Sequence, residues 1–315
     1  MQFDVFNGDA DGLCALLQLR LAKPCVSKLV TGVKRDIVLL EQVFANQGDS
    51  VTVLDVSLAK NRNVLEQLLA NGVKIFYVDH HQAGEIPQHE NLKTLINTDA
   101  KMCTALLMNE YLQGRFIEWA LVGAFGDNLG DVAFKIGVDF SARQLEQLQQ
   151  LGVCLNYNSY GACLNDLHFT PQDLFQYCIL YASPFDFIVD QNAIFQTLIH
   201  GYHDDLNAAL NISADYQSDE VALFVLPNTA WARRVSGVFS NELANRFPNR
   251  AHAVLNDNSG VFQVSVRAPL NNSTGADELC ASFATGGGRK SAAGINQLPA
   301  EQVATFTQAF IKHYS

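Results

Sequence analysis

The residues best suited to do chemistry in this sequence follow short apolar runs. Residues 3–6 lead into Asn7-Gly8-Asp9-Ala10-Asp11-Gly12, residues 51–54 into Asp55, and residues 73–78 into Asp79-His80-His81. A later apolar run, 119–125, ends in Gly126-Asp127-Asn128. Oxygen donors with one or two imidazoles suit Mn²⁺ or Mg²⁺, whereas a structural zinc site would want thiolates. Clustered carboxylates repel one another unless cations lie between them, so the set points to a dinuclear hard-metal centre. Two ions about 3.5 to 4 Å apart lower the pKa of a shared water and polarise a phosphoryl oxygen. Asp9-Ala10-Asp11-Gly12 taken alone reads equally well as the N-cap of a helix. What favours metal is Asp79-His80-His81 at a neighbouring strand end.

The elements that must position these residues alternate. Strand-like runs at 3–6, 51–54 and 73–78 are separated by helical patterns at about 13–22 and 61–70, and Asn71-Gly72 is a helix stop. Alternation of this kind predicts an α/β unit, a parallel sheet with helices on both faces, and ligands gather at the carboxyl ends of such strands. Residues 141–210 read as mostly helical, with 152–168, rich in Asn, Gly and Tyr, read as a loop. The expected organisation is a metal-binding domain at 1–200, a linker at 201–218, and a smaller mixed α/β domain at 219–315. That second domain reads as a strand (221–226), a helix (233–246), a hairpin (251–256 and 261–267), a helix (277–283), a glycine-rich turn and a last helix.

Composition excludes several classes. The 315 residues are 48% hydrophobic and 17% charged, enough for a real core. Net charge is −11, with 13 basic and 25 acidic residues in 1–218 against 8 and 7 in 219–315. A chain so acidic is poorly made to grip long nucleic acid, which is held by neutralising many phosphates. No run approaches the roughly 18 apolar residues of a membrane span, and the N-terminus has no basic region ahead of a hydrophobic one. Seven scattered cysteines, never spaced CxxC, suggest a reduced cytoplasmic protein that uses most of them as small core residues.

Near the C-terminus, Thr285-Gly286-Gly287-Gly288-Arg289-Lys290-Ser291-Ala292-Ala293-Gly294 sets three glycines before two cations. Such a segment lets backbone N–H groups approach a phosphate or base, and Arg289 can fork onto a phosphate or the O6 and N7 edge of guanine. Trp231 reads as core filling. His89, His168, His200, His203, His252 and His313 read as surface or satisfied histidines, and His203-Asp204-Asp205 as a solvated face.

Taken in order, NGDADG, LDVS, VDHH, GDN and GGGRKSAAG resemble the DHH phosphoesterase superfamily with its DHH-associated C-terminal domain, over nearly the whole chain. The resemblance implies a parallel-sheet DHH domain followed by a substrate-binding domain. It implies that Asp9 and Asp55 hold one Mn²⁺ ion and that Asp11, Asp55, His80 and Asp127 hold the other, with Mg²⁺ as an alternative. Asn7 stands where the family usually has His or Asp, so it would be a neutral, weaker ligand. Asp79 would lie behind the metals and His81 near the phosphate or leaving oxygen. Arg267 would contact a substrate phosphate together with Gly286, Gly287, Gly288 and Arg289, the last replacing a family histidine.

The activity expected from this resemblance is hydrolysis of very short RNA, such as the diribonucleotide pGpG, to nucleoside 5′-monophosphates, the work of a nanoRNase. On the same scaffold the alternatives are a 3′-phosphoadenosine 5′-phosphate phosphatase and a cyclic-dinucleotide phosphodiesterase. A reading from another class is a nucleotide sensor without turnover. The expected partners are a dinucleotide or short RNA and, optionally, a second copy of the chain, with no long nucleic acid and no membrane.

Overall fold

β-branched and aromatic runs form the strands, as the pleated and doubly covered surface of a sheet favours. In a computed structural model that describes all 315 residues, the first sheet comprises β1 (Gln2–Phe6), β2 (Lys28–Val30), β3 (Ser50–Leu54), β4 (Lys74–Asp79) and β5 (Leu92–Ile96). All pairings are parallel and the order is β2-β1-β3-β4-β5. The predicted α/β architecture is present. Phe3, Val5, Val51, Val53, Ile75 and Tyr77 are buried in one apolar cluster with Leu58, Leu65 and Leu69 of the helix Leu58–Ala70.

The helix Ala10–Ala22 has no polar stripe: Leu13, Leu16, Leu17, Gln18 and Leu19 are all buried. A helix buried all round needs cover on both sides, and a layer of helices, Thr104–Tyr111, Ile117–Gly126 and Ala142–Asn158, supplies it. The run 119–125 is therefore helical. The loop read over 152–168 is overturned in its first part, because the helix Ala142–Asn158 continues through it. Gly152 stands there for close approach: a Cβ on it would lie 2.2 Å from the carbonyl oxygen of Val122. Within β1, Asp4 is fully buried and receives Arg20 Nε at 2.7 Å and Ser27 Oγ at 2.6 Å, while Arg20 Nη2 donates to its other oxygen.

Contacts divide the chain into two compact units, Met1–His200 and Gly201–Ser315. The stretch 201–218, read as a linker, holds the end of the helix Asn192–Leu210 and the short strand β6 (Tyr216–Gln217). The second unit continues with β7 (Val221–Leu226), β8 (Ala251–Asn258), β9 (Val261–Arg267), β10 (Gly286–Arg289) and β11 (Ala292–Pro299), ordered β10-β11-β9-β8-β7-β6. Only β7 and β8 pair in parallel. The helix Ala230–Arg246 covers one face through Val235 and Phe239 against Phe224 and Val254. Phe306 and Phe310 of the helix Val303–Tyr314 pack on the other face, against Leu255, Val264 and Ile295. The glycine-rich turn of the sequence reading is in fact the edge strand β10. No helix is long and apolar enough to cross a membrane. The cysteines are unpaired, with Cys25 and Cys163 exposed and the other five buried.

Candidate metal centre

In the strand order β2-β1-β3, successive connections leave β1 and β3 in opposite directions, and a crevice opens between their carboxyl ends, where ligands bind in such sheets. Asn7 to Asp11 follow β1, Asp55 follows β3, and His80 and His81 follow Asp79 at the end of β4. Asp127 arrives from the C-terminal end of the helix Ile117–Gly126. Asp55 itself has φ 58°, a left-handed conformation that aspartate tolerates better than most residues.

His80 is aimed by its backbone partner. Its Nδ1 donates to the Met102 carbonyl at 3.0 Å, which leaves Nε2 facing Asp55 Oδ1 at 3.4 Å, Asp11 Oδ2 at 3.8 Å and Asp127 Oδ2 at 3.9 Å. A ligating histidine is commonly held in this way, with the second nitrogen tied to a carbonyl. His81, 43% exposed, binds Asp79 Oδ1 through Nδ1 at 2.7 Å. That same Asp79 oxygen accepts the His80 N–H at 2.9 Å, while Asp79 Oδ2 is buried without a partner. Two sets of donor atoms lie close enough to share one cation: Asp55, His80 and His81, and Asp11, His80 and Asp127.

The charge balance fits a cation. Burial, then Asp55 and Asp9, push the Asp11 carboxyl up to about 7. Burial and Asp9 do the same to Asp55, also to about 7. Burial and Asp11 raise Asp127 to about 6. Burial alone would lower His80, but Asp55, Asp11 and Asp127 carry it up to about 10. These groups hold protons that a divalent ion would displace, and their oxygen and imidazole donors are those of Mn²⁺ or Mg²⁺.

Two of the residues expected at the centre, Asn7 and Asp9, already have partners within the protein. Asp9 caps the helix Ala10–Ala22: Oδ1 accepts the N–H groups of Asp11 at 3.0 Å and Gly12 at 3.1 Å. Its Oδ2 receives Lys34 Nζ at 2.5 Å, and against the effect of burial this ammonium holds the carboxyl below its usual range. The amine in turn is held well above its usual value, chiefly by Asp9. Asn7 Oδ1 accepts the Asp9 N–H at 3.2 Å, and its Nδ2 donates to the Lys34 carbonyl at 3.1 Å. The helix-cap reading thus describes Asp9, while Asp11, Asp55, His80 and Asp127 converge.

Sequence reasoning missed two contributors, Lys34 and Thr104. The N–H groups of Thr104 and Ala105, at the start of the helix Thr104–Tyr111, bind Asp11 at 2.8 and 2.7 Å, and Thr104 Oγ1 donates to Asp55 at 3.3 Å. No motif marks Thr104. Lys34 had a faint signal, in that Thr31-Gly32-Val33-Lys34 follows the strand next to β1.

In the second unit, register places His252, Arg267, Ala292 and Arg289 opposite one another on β8, β9, β11 and β10. Directly opposed residues share a face, so the two arginines stand about 10 Å apart with only an alanine between them. Arg267 Nε donates to Asn241 at 2.8 Å, while Arg289 is exposed. Gly286, Gly287 and Gly288 lie on β10, whose outer edge pairs with no strand. His252 corrects the sequence reading: it is fully buried, neither ring nitrogen has a hydrogen-bond partner, and burial and Arg250 lower it to about 4. Asp205, read as part of a solvated face, is buried and paired with Arg234 at 2.9 Å. Trp231 is half-buried against the cluster under the helix Ala230–Arg246.

No family profile matches the sequence, and no curated protein is detectably similar to it. Solved structures do match. The manganese-bound exonuclease RecJ superposes with TM-score 0.62 at 16% identity, over 98% of this chain and 88% of that one. The RecJ of Thermus thermophilus in complex with Mn²⁺ gives 0.59 at 17% identity, with 98% of this chain covering 51% of that one. The pGpG-specific phosphodiesterase PggH from Vibrio cholerae gives 0.55 at 13% identity, over 99% of this chain and 97% of that one. The fold of this chain is therefore the one seen in RecJ and PggH.

Proposed function

We propose that this chain is a metal-dependent phosphodiesterase that hydrolyses very short RNA, diribonucleotides such as pGpG among them, to nucleoside 5′-monophosphates. The observation that carries the reading is the single imidazole nitrogen of His80 facing three carboxylates at the crevice between β1 and β3. When bound by Asp11, Asp55, His80 and Asp127, a divalent ion, Mn²⁺ or Mg²⁺, supplies an activated water and polarises the phosphoryl oxygen. The protein's own groups do the remainder. Asp79 fixes the His81 ring through Nδ1, so that Nε2 is the atom that delivers a proton to the departing 3′ oxygen. The Thr104 and Ala105 N–H groups keep Asp11 oriented. Arg267 and Arg289 offer forked donors of the kind that bind phosphate and a guanine edge.

Net charge of −11 supports short ligands over long ones. The similarity to PggH agrees with a dinucleotide substrate. The test is product analysis with purified protein and Mn²⁺, offering all 5′-phosphorylated diribonucleotides beside longer RNA, 3′-phosphoadenosine 5′-phosphate and cyclic dinucleotides. Cleavage confined to dinucleotides is the expected result. Cleavage of the monoester or of the cyclic compounds overturns the substrate, and binding without turnover overturns the enzyme.

A further inference from the structure

The Asp9 carboxylate is already engaged at both oxygens: Oδ1 accepts two backbone N–H groups and Oδ2 an ammonium. Lys34 is also held at every polar atom. Its N–H donates to the Ser159 carbonyl at 2.9 Å, its carbonyl accepts from Asn7, and Nζ donates to Asn156 Oδ1 at 2.8 Å as well as to Asp9. The Tyr160 ring lies 5.5 Å from the ammonium, within cation–π reach. Asn156, Ser159 and Tyr160 all come from the end of the helix Ala142–Asn158 and the residues after it.

The loop that brings Lys34 here is shaped to do so. A Cβ on Gly8 would lie 2.0 Å from the Gly32 carbonyl oxygen, and a Cβ on Gly32 would lie 2.1 Å from Asp36 Oδ2. That Asp36 oxygen accepts the Val33 N–H at 2.9 Å. Two glycines thus let the loop after β2 press against the loop after β1, and the lysine enters from the seam. A flexible lysine so fixed along its whole length is part of the site and does not merely reach into it.

We propose that Lys34 is a built-in cation of the centre, its ammonium taking the place of one of two metal ions against Asp9 and leaving a single divalent ion on Asp11, Asp55, His80 and Asp127. The proposal rests on the metal reading above and departs from the paired ions that the resemblance implies. Asn7 belongs to the same arrangement, its amide bracing the lysine's own carbonyl. A second dication against Asp9 would have to displace a cation already hydrogen-bonded there.

The test counts metal in the whole chain. After chelation, the wild type, Lys34→Met and Lys34→Arg are dialysed against Mn²⁺, with bound metal measured by mass spectrometry and ion coupling by electron paramagnetic resonance. One uncoupled ion in the wild type and in Lys34→Arg, rising to two coupled ions in Lys34→Met, is the expected result. Two ions in the wild type overturn the proposal, and this count needs no variant to fold. One ion in both the wild type and Lys34→Met overturns it too, because the lysine then closes nothing. Absence of bound Mn²⁺ from all three overturns the metal reading beneath the proposal, and the proposal with it.

Discussion

β1 carries buried acid at two places that could hardly differ more. Within the strand, Asp4 is matched by Arg20 and Ser27, charge against charge, with its oxygens hydrogen-bonded. Just past its end, Asp11 and Asp55 share their surroundings with Asp127 and the imidazoles of His80 and His81, beyond the Asp9–Lys34 pair. Both places are buried, so burial of a carboxylate does not by itself mark a functional site. Imbalance does: the first arrangement is complete as it stands, and the second, on the function proposed above, is completed by a divalent ion.

The sharpest way to break this comparison is to neutralise one member of each place. Asp55→Asn is expected to lower turnover on the order of 10,000-fold, while the metal-free protein unfolds at the same or a higher denaturant midpoint because repulsion is relieved. A drop in that midpoint would show that Asp55, like Asp4, is structural. Arg20→Met should do the reverse, costing about 3 to 5 kcal/mol in equilibrium unfolding by stranding Asp4, with Mn²⁺ uptake per folded chain unchanged.

A third experiment uses pH. A carboxyl raised in the folded state contributes stability that is present below its ordinary value and lost as pH climbs through the raised one. Asp11 and Asp55 do this between 3.8 and about 7, and Asp127 between 3.8 and about 6. His80, raised from 6.5 to about 10, continues the loss on the alkaline side. The metal-free centre is thus most comfortable in acid, and Mn²⁺ competes with protons. Stabilisation by Mn²⁺, about 2.7 kcal/mol at a hundredfold excess over its Kd, should be larger near pH 8 than near pH 5 at fixed total metal. A thermal shift independent of pH would contradict the proton-loaded cluster. The smallest effect concerns the second unit: Arg289→Ala should raise KM about tenfold with kcat retained, as expected for one lost charged hydrogen-bond partner. An unchanged KM would remove Arg289 from substrate binding.

Much of the first unit was legible because burial writes itself into sequence. Residues 51–54 and 73–78 are apolar on both faces, and each ends in a carboxylate where the sheet ends. What escaped was structure set by tertiary context. Gly152 looks like a helix breaker, yet it is there because the Val122 carbonyl occupies the space of a side chain. β10 is hidden by its glycines, which have no side chains to alternate. β5, only partly buried, has too little apolar pattern to announce a strand. Of the expected ligands, those following β3 and β4 were visible as strand ends. The cap formed by Asp9 was legible too, but the engagement of Asp9 and Asn7 with Lys34 was not, because that lysine lies some two dozen residues away and is joined to them only by strand order.

The left-handed backbone of Asp55 has a consequence for how such a chain changes over generations. Asparagine shares aspartate's tolerance of that conformation, whereas alanine there would be strained. Aspartate and asparagine codons differ by a single transition. One nucleotide change at this position would therefore silence the centre while sparing the sheet, the crevice and the arginine row. On the function proposed above, a lineage could keep the whole scaffold as a receptor for the ligand it once cut, and such descendants would be recognised by asparagine at the end of β3.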